Sequence, residues 1–125
     1  MSKAVVAIFG ASEKEDRYAN KAQQRLVNHG YPVLPISPSS KTVMGVTSVQ
    51  KISDIKQPVD TVTLYVGPKI LAEQISDLIK LKPRRVIFNP GTEDASMQQQ
   101  LENAGIHTVE ACTLVLLSTD QFEKA

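Results

Sequence analysis

Short runs rich in β-branched residues recur along the chain, separated by stretches whose apolar positions follow helical spacing. Ala4 to Phe9, Pro32 to Ile36, Thr61 to Val66, Arg85 to Phe88 and Ile106 to Val109 read as five short strands. Between them, "KISD" with "IKQPVD", then "KILAEQISDLIKL" and "EDASMQQQLENAG", have helical spacing. Such alternation builds an α/β domain in which a mainly parallel, five-stranded sheet is covered by helices on both faces.

The helix around Ile70 is the clearest. Ile70, Leu71, Gln74, Ile75, Leu78 and Ile79 form one stripe, and Pro68 sits near the first turn, where a missing N–H costs nothing. Gly30 after "QQRLVNH" and Gly105 after "QQQLENA" stand where a helix closes before a strand. Thr92, followed by Glu93 and Asp94, reads as an N-cap whose acidic followers suit the helix dipole. The least regular strand is Pro32 to Ile36, because Pro32 and Pro35 each remove a ladder donor; it requires an open side or a bulge. The residues before Thr61 leave room for a short strand near Gly45 to Thr47 and a helical turn near Ser53 to Lys56.

Composition narrows the class. With 125 residues and 42% apolar side chains, residues 1–125 form one domain able to bury about two-thirds of the unfolded surface. Lysine and arginine (14) nearly balance aspartate and glutamate (13) without runs, so there is no electrostatic footprint for nucleic acid or an anionic membrane. Cys112 is the single cysteine, which excludes an intramolecular disulfide and a zinc site of several thiolates, and points to a reducing compartment. "AVVAIF" lacks a cleavage-type segment, and no apolar stretch approaches the ~20 residues that cross a bilayer. The expectation is a soluble cytoplasmic protein with a small-molecule partner, a homodimer being left open.

In an open parallel sheet the ligand crevice lies beyond the carboxyl ends of the strands, where strand order reverses. The residues following the strands are Gly10-Ala11-Ser12, Ser37-Pro38-Ser39, Gly67-Pro68-Lys69 and Asn89-Pro90-Gly91-Thr92, small, polar or kinked, which leave backbone N–H groups open to a ligand. The first of these leads into a helix expected to begin near Asp16 to Ala19, whose unpaired amides and positive dipole end face the crevice. That is chemistry for an anion, most simply a phosphate. Arg17 ahead of the helix is a candidate phosphate partner, against the plainer reading of a solvated charge, and Tyr18 a candidate cover.

A dinucleotide fingerprint spends three glycines at this turn, and the chain has Gly10 alone. At the end of the second strand, Asp or Glu commonly meets a free ribose 2′-hydroxyl; here stand Ser37 and, four residues on, Lys41. This edge suits a phosphorylated ribose, so NADP and coenzyme A both stay open.

The segments "VAIFGAS", "DR", "HGYPVLPISP" and "PVDTVTLYVGP" together resemble the small stand-alone CoA-binding proteins, whose domain is similar to the N-terminal nucleotide-binding domain of succinyl-CoA synthetase alpha subunits. The resemblance runs from Lys3 to about Leu117. It implies a Rossmann-like, doubly wound fold that binds coenzyme A, with the pyrophosphate on Gly10-Ala11-Ser12 and Arg17 at the position of the arginine that commonly follows. Ser37 and Pro38 fall where the family has Asn-Pro, and Val66, Gly67 and Pro68 fall at its third ligand-lining loop. The chain departs from the pattern at Ser39, where lysine is frequent and Lys41 would supply the charge, and at Gly67, where many relatives carry arginine. It also reads Ala111-Cys112 where Arg-Cys is frequent.

Other residues have plainer readings. Cys112 reads as a packing residue, the alternative being a thiol near the pantetheine sulfur. His29 reads as a helix-dipole partner and His107 as structural. Arg84 and Arg85 begin a strand at the end opposite the crevice and read as surface charges; Phe9, Phe88 and Tyr65 read as core. Asn89 and Gly91 complete the candidate crevice residues. No nucleophile has an orienting base, and neither a catalytic nor a metal-ligating residue is assigned. The leading expectation is a non-catalytic module binding CoA or acyl-CoA, as carrier, sensor or regulator. Its alternatives are a small NAD(P)-binding oxidoreductase or remnant, and an interaction protein with a decayed crevice.

Overall fold

Strand β1, Val6–Phe9, is buried along its whole length, which is why its residues are all apolar rather than alternating. Val6 and Ile8 pack into one hydrophobic cluster, Ala7 and Phe9 into another on the opposite face, following the period of two. The computed structural model, which describes residues 3–39 and 41–125, continues with helix α1 (Tyr18–Asn28), β2 (Val33–Ile36), β3 (Thr42–Val43) and β4 (Val46–Thr47). A 3-10 turn at Ile52–Asp54 is followed by β5 (Thr61–Leu64), α2 (Pro68–Leu81), β6 (Arg85–Phe88), α3 (Ala95–Asn103), β7 (His107–Glu110) and α4 (Thr113–Ser118).

The principal sheet is five-stranded and parallel, in the order β2-β1-β5-β6-β7, with β3 and β4 as a separate antiparallel pair. Strand order reverses between β1 and β5, which opens a crevice at their carboxyl ends. One face carries Leu71, Ile75 and Leu78 of α2 and Leu101 of α3. The other carries Ala19 and Leu26 of α1, Leu117 of α4 and Phe122. Each large aliphatic group so buried contributes about 2 kcal/mol. Of the stripe predicted on α2, Ile70 is exposed instead, while Gln74 accepts from the Ile52 N–H and ties the 3-10 turn to the helix.

The proline-bearing strand β2 lies at the sheet edge. Pro35 turns its carbonyl outward to the Val49 N–H (3.0 Å), so its missing donor also falls on the outer side and costs β1 nothing. The expected short strand near Gly45 is half of the β3–β4 hairpin.

Four expectations are corrected. "IKQPVD" does not form a helix: the 3-10 turn ends at Asp54 and Ile55 is already extended, consistent with Pro58 disfavouring helical backbone before it. The N-cap of α3 is Asp94, whose carboxylate accepts from the Met97 N–H, whereas the Thr92 hydroxyl donates to the Asn89 carbonyl. Arg84 is exposed and paired with Asp60, but Arg85 is 1% exposed and no surface charge. Its side chain shares the α1/α4 face with Thr61, donates from Nε to Thr61 Oγ1 (2.8 Å) and reaches the carbonyls of Phe122 and Ala125. The chain beyond α4 folds back over this strand and supplies those acceptors, which sequence spacing could not reveal. His107, read as structural, opens the edge strand β7 and is exposed.

Candidate functional site

The turn after β1 is built on a constraint between two strands. Gly10 has φ +98°, and a Cβ there would lie 2.9 Å from the Tyr65 carbonyl oxygen and 2.9 Å from Val66 Cγ1. Tyr65 in turn donates its N–H to the Phe9 carbonyl at 2.8 Å. Only glycine satisfies both the left-handed backbone and the close approach of the segment after β5. The amides of Gly10 and Ala11 both donate to the Ile36 carbonyl (3.2 and 3.1 Å), so they serve the sheet and do not stand open to a ligand as expected.

Past Ala11 the chain turns away from the sheet. Ser12 accepts from the Lys14 N–H at Oγ, and its carbonyl is held by Asn20 Nδ2 (2.9 Å), which pins the turn to the buried face of α1. Arg17 is the N-cap of α1, within the range expected for the helix start, and no side chain caps that end. The orphan amides and positive dipole end of α1 therefore open onto the surface. α3, by contrast, is closed by Asp94.

A cavity of about 370 Å³ lies there, lined by Gly10, Ser12, Lys14, Arg17, Tyr18, Ala19 and Tyr65. Lys14 and Arg17 have no ion-pair partner among the described residues. An uncapped helix start with two exposed cations is a donor set that fits a phosphate or pyrophosphate. No group of three or more His, Cys, Asp or Glu able to hold a metal ion occurs among the described residues.

A second, more enclosed cavity of about 210 Å³ adjoins it and shares Tyr18 and Tyr65; its other lining residues are Asn89, Pro90, Cys112 and Leu114. Asn89 is a buried clamp under this cavity. Its amide nitrogen donates to Thr63 Oγ1 (2.7 Å) and the Leu64 carbonyl (2.8 Å), while its oxygen accepts from the Thr113 N–H (2.9 Å). Thr63 and Thr113 share a hydroxyl hydrogen bond of 2.8 Å. Burial pushes the Tyr65 phenol up to about 12, against hydrogen bonds with Thr113 and Thr63 that act the other way. Tyr65 is thus a neutral, half-buried phenol that packs against the core and also lines the junction of the two cavities.

The structure assembles Gly10, Ser12, Arg17 and Tyr18 in one cleft and adds Asn89, which directly follows β6. Ala11 is buried beneath the turn. Val66 touches the Gly10 position, and Gly67 and Pro68 open α2, whose start likewise lacks a side-chain cap. Ser37, Pro38, Ser39 and Lys41 line neither cavity: Ser37 is buried, with its N–H on the Val49 carbonyl (2.8 Å), and Lys41 leads into the β3–β4 hairpin. Gly91 is exposed, its N–H on the Glu93 carboxylate.

Lys14, Leu114 and the site-facing role of Tyr65 escaped the sequence reading. Lys14 lies inside the turn that drew notice; Leu114 was legible only as a residue shortly after the fifth strand.

A parallel sheet with this strand order, a glycine turn at the switch point and an uncapped helix start beside it defines a Rossmann-like nucleotide-binding domain. The chain belongs to the CoA binding domain family, whose model matches residues 4–118. A crystal structure of an uncharacterized protein superposes with TM-score 0.91 at 38% identity, covering 98% of this chain and all of that one. A hypothetical protein from Pyrococcus horikoshii OT3 gives TM-score 0.86 at 28% identity, over 94% of this chain and 83% of its own. The uncharacterized protein YneT of Bacillus subtilis (strain 168) is 27% identical over 60 residues, 48% of this chain and 44% of that relative, so the matched part spans less than half of it. No helix among the described residues is long and apolar enough to cross a membrane.

Proposed function

We propose that residues 1–125 act as a coenzyme A-binding module, with the pyrophosphate beside the turn Gly10-Ala11-Ser12, held by the open amides at the start of α1 rather than by those of Gly10 and Ala11, and with Arg17 and Lys14 as its cationic partners. The observation that carries this reading is the uncapped start of α1 meeting both cations in a cleft at the switch point of the sheet. Membership of the CoA binding domain family selects coenzyme A among phosphorylated adenosines. Tyr18, 67% exposed at the lip, covers the bound ligand. The roles expected of Ser37, Pro38, Ser39 and Lys41 at a phosphorylated ribose, and of Val66, Gly67, Pro68 and Gly91 along the outer loops, extend the same reading around the cleft. The module presents or senses the cofactor rather than transforming it.

The test is a thermal melt with added ligand. Coenzyme A at about one hundred times its Kd raises stability by about 2.7 kcal/mol, a rise in Tm of roughly 10 °C. Arg17→Ala weakens binding by about tenfold through loss of a charge-assisted contact, and leaves the ligand-free Tm within a degree because Arg17 is exposed. A shift with NADPH and none with millimolar coenzyme A overturns the reading.

A further inference from the structure

We infer that the ligand is a short-chain acyl thioester of coenzyme A rather than the free thiol, with the acyl group seated in the smaller cavity. This rests on the coenzyme A reading above and names the class of ligand within it. The cleft has two chambers of opposite chemistry joined at Tyr18 and Tyr65. The larger presents Lys14, Arg17 and the start of α1, and the smaller presents Pro90, Leu114, Cys112 and the tyrosine rings.

The buried polar groups beneath the smaller chamber are already committed. Asn89 spends both its donor and its acceptor capacity on Thr63, Leu64 and Thr113, and the Thr63 and Thr113 hydroxyls bond each other. Apart from the Tyr18 and Tyr65 hydroxyls, what faces the space is mostly carbon and sulfur, so water held there has few partners and an apolar group displaces it favourably. A ligand filling both chambers carries phosphates at one end and a small apolar group at the other.

Size sets the limit. At about 30 Å³ per water, 210 Å³ holds about seven water-sized groups. A thioester carbonyl with two to four carbons fits; a ten-carbon chain does not. Each methylene that enters raises affinity about fourfold, and the gain stops when the space is full.

Calorimetric titration of the full chain with coenzyme A, acetyl-, butyryl- and decanoyl-CoA tests this. Butyryl-CoA, with two methylenes more than acetyl-CoA, is expected to bind more than about tenfold more tightly than coenzyme A, and decanoyl-CoA to lose that gain. Leu114→Trp, which fills the chamber, brings the butyryl-to-free-thiol affinity ratio to one or below, and Leu114→Ala, which enlarges it, moves the optimum to a longer chain. The Ala variant decides the matter if the Trp variant lacks a cooperative melt. Thioesters that bind no better than coenzyme A, or a ratio unmoved in the folded variants, overturn the inference while leaving coenzyme A binding intact. Failure of every one of these ligands to bind overturns the coenzyme A reading itself.

Discussion

The two ends of the central sheet handle polar groups in opposite ways. At the carboxyl end, α1 and α2 start without side-chain caps, and Lys14 and Arg17 stand beside the α1 start with no ion-pair partner among the described residues. At the amino end, comparable groups are consumed. Asp60 takes both Nε and NH2 of Arg84 (3.0 and 3.2 Å) and the Thr61 hydroxyl, Arg85 holds Thr61 and two carbonyls of the last residues, and Tyr31 donates to Glu123. The Arg85 guanidinium also lies 4.3 Å from the centre of the Phe122 ring, which packs edge-on against Tyr31. A single sheet thus consumes the charged groups at one end and leaves exposed cations and an uncapped helix start at the other. Satisfied polar groups stabilise, and unsatisfied ones are available to bind.

The largest effect that can break this comparison is at Arg85. Arg85→Met keeps much of the volume but leaves Thr61 Oγ1 and the carbonyls of Phe122 and Ala125 without their donor. The expected loss is about 3 kcal/mol, near 10 °C in Tm by calorimetry, with the coenzyme A-induced shift retained. A variant that loses ligand binding while melting normally would reverse the division of labour.

Gly10→Ala comes next, at about 2 kcal/mol, because it forces a side chain into left-handed backbone and against the Tyr65 carbonyl. Unlike the change at Arg85, it is expected to lower both stability and ligand affinity, since β1 and β5 meet at the cleft. Denaturant melts with and without coenzyme A separate the two effects.

The smallest concerns pH. Burial pushes the Asp60 carboxyl up, but hydrogen bonds from Arg84 and Thr61 and the charges of Arg84 and Arg85 outweigh it, and the group sits below its ordinary 3.8. A carboxylate lowered in the folded state stabilises above its unfolded value and loses that contribution as pH falls through the folded one. Stability therefore declines below about pH 4, and Asp60→Asn flattens that limb by less than about 1 kcal/mol, the pair being partly exposed. Acid melts of the two proteins are the measurement, and an unchanged limb would remove Asp60 from the amino-end network.

Much of this was legible in the sequence. The β-branched runs placed all five principal strands: β1, β5 and β6 are buried along their whole length and β2 nearly so, while the exposed edge strand β7 was marked by its β-branched Thr108 and Val109. Gly10 and the turn behind it were visible because a strand followed by glycine and a helix start is a local pattern. Lys14, Leu114 and the junction role of Tyr65 were not. Their nearness depends on β1, β5 and β7 lying in one order within the sheet, and no local spacing carries strand order.

The sequence by itself determined the alternation of strands and helices, the family resemblance and the position of the glycine turn after β1, since propensity, periodicity and glycine placement are short-range properties of the chain. Only the tertiary structure decided that the Gly10 and Ala11 amides bind Ile36 and that Arg85 is buried under the last residues. It also decided that Ser37 and Lys41 stand outside the cavities while Leu114 stands inside one. Each of these joins residues far apart in the chain or depends on which face of a strand meets which helix, and such contacts exist only once the sheet has assembled.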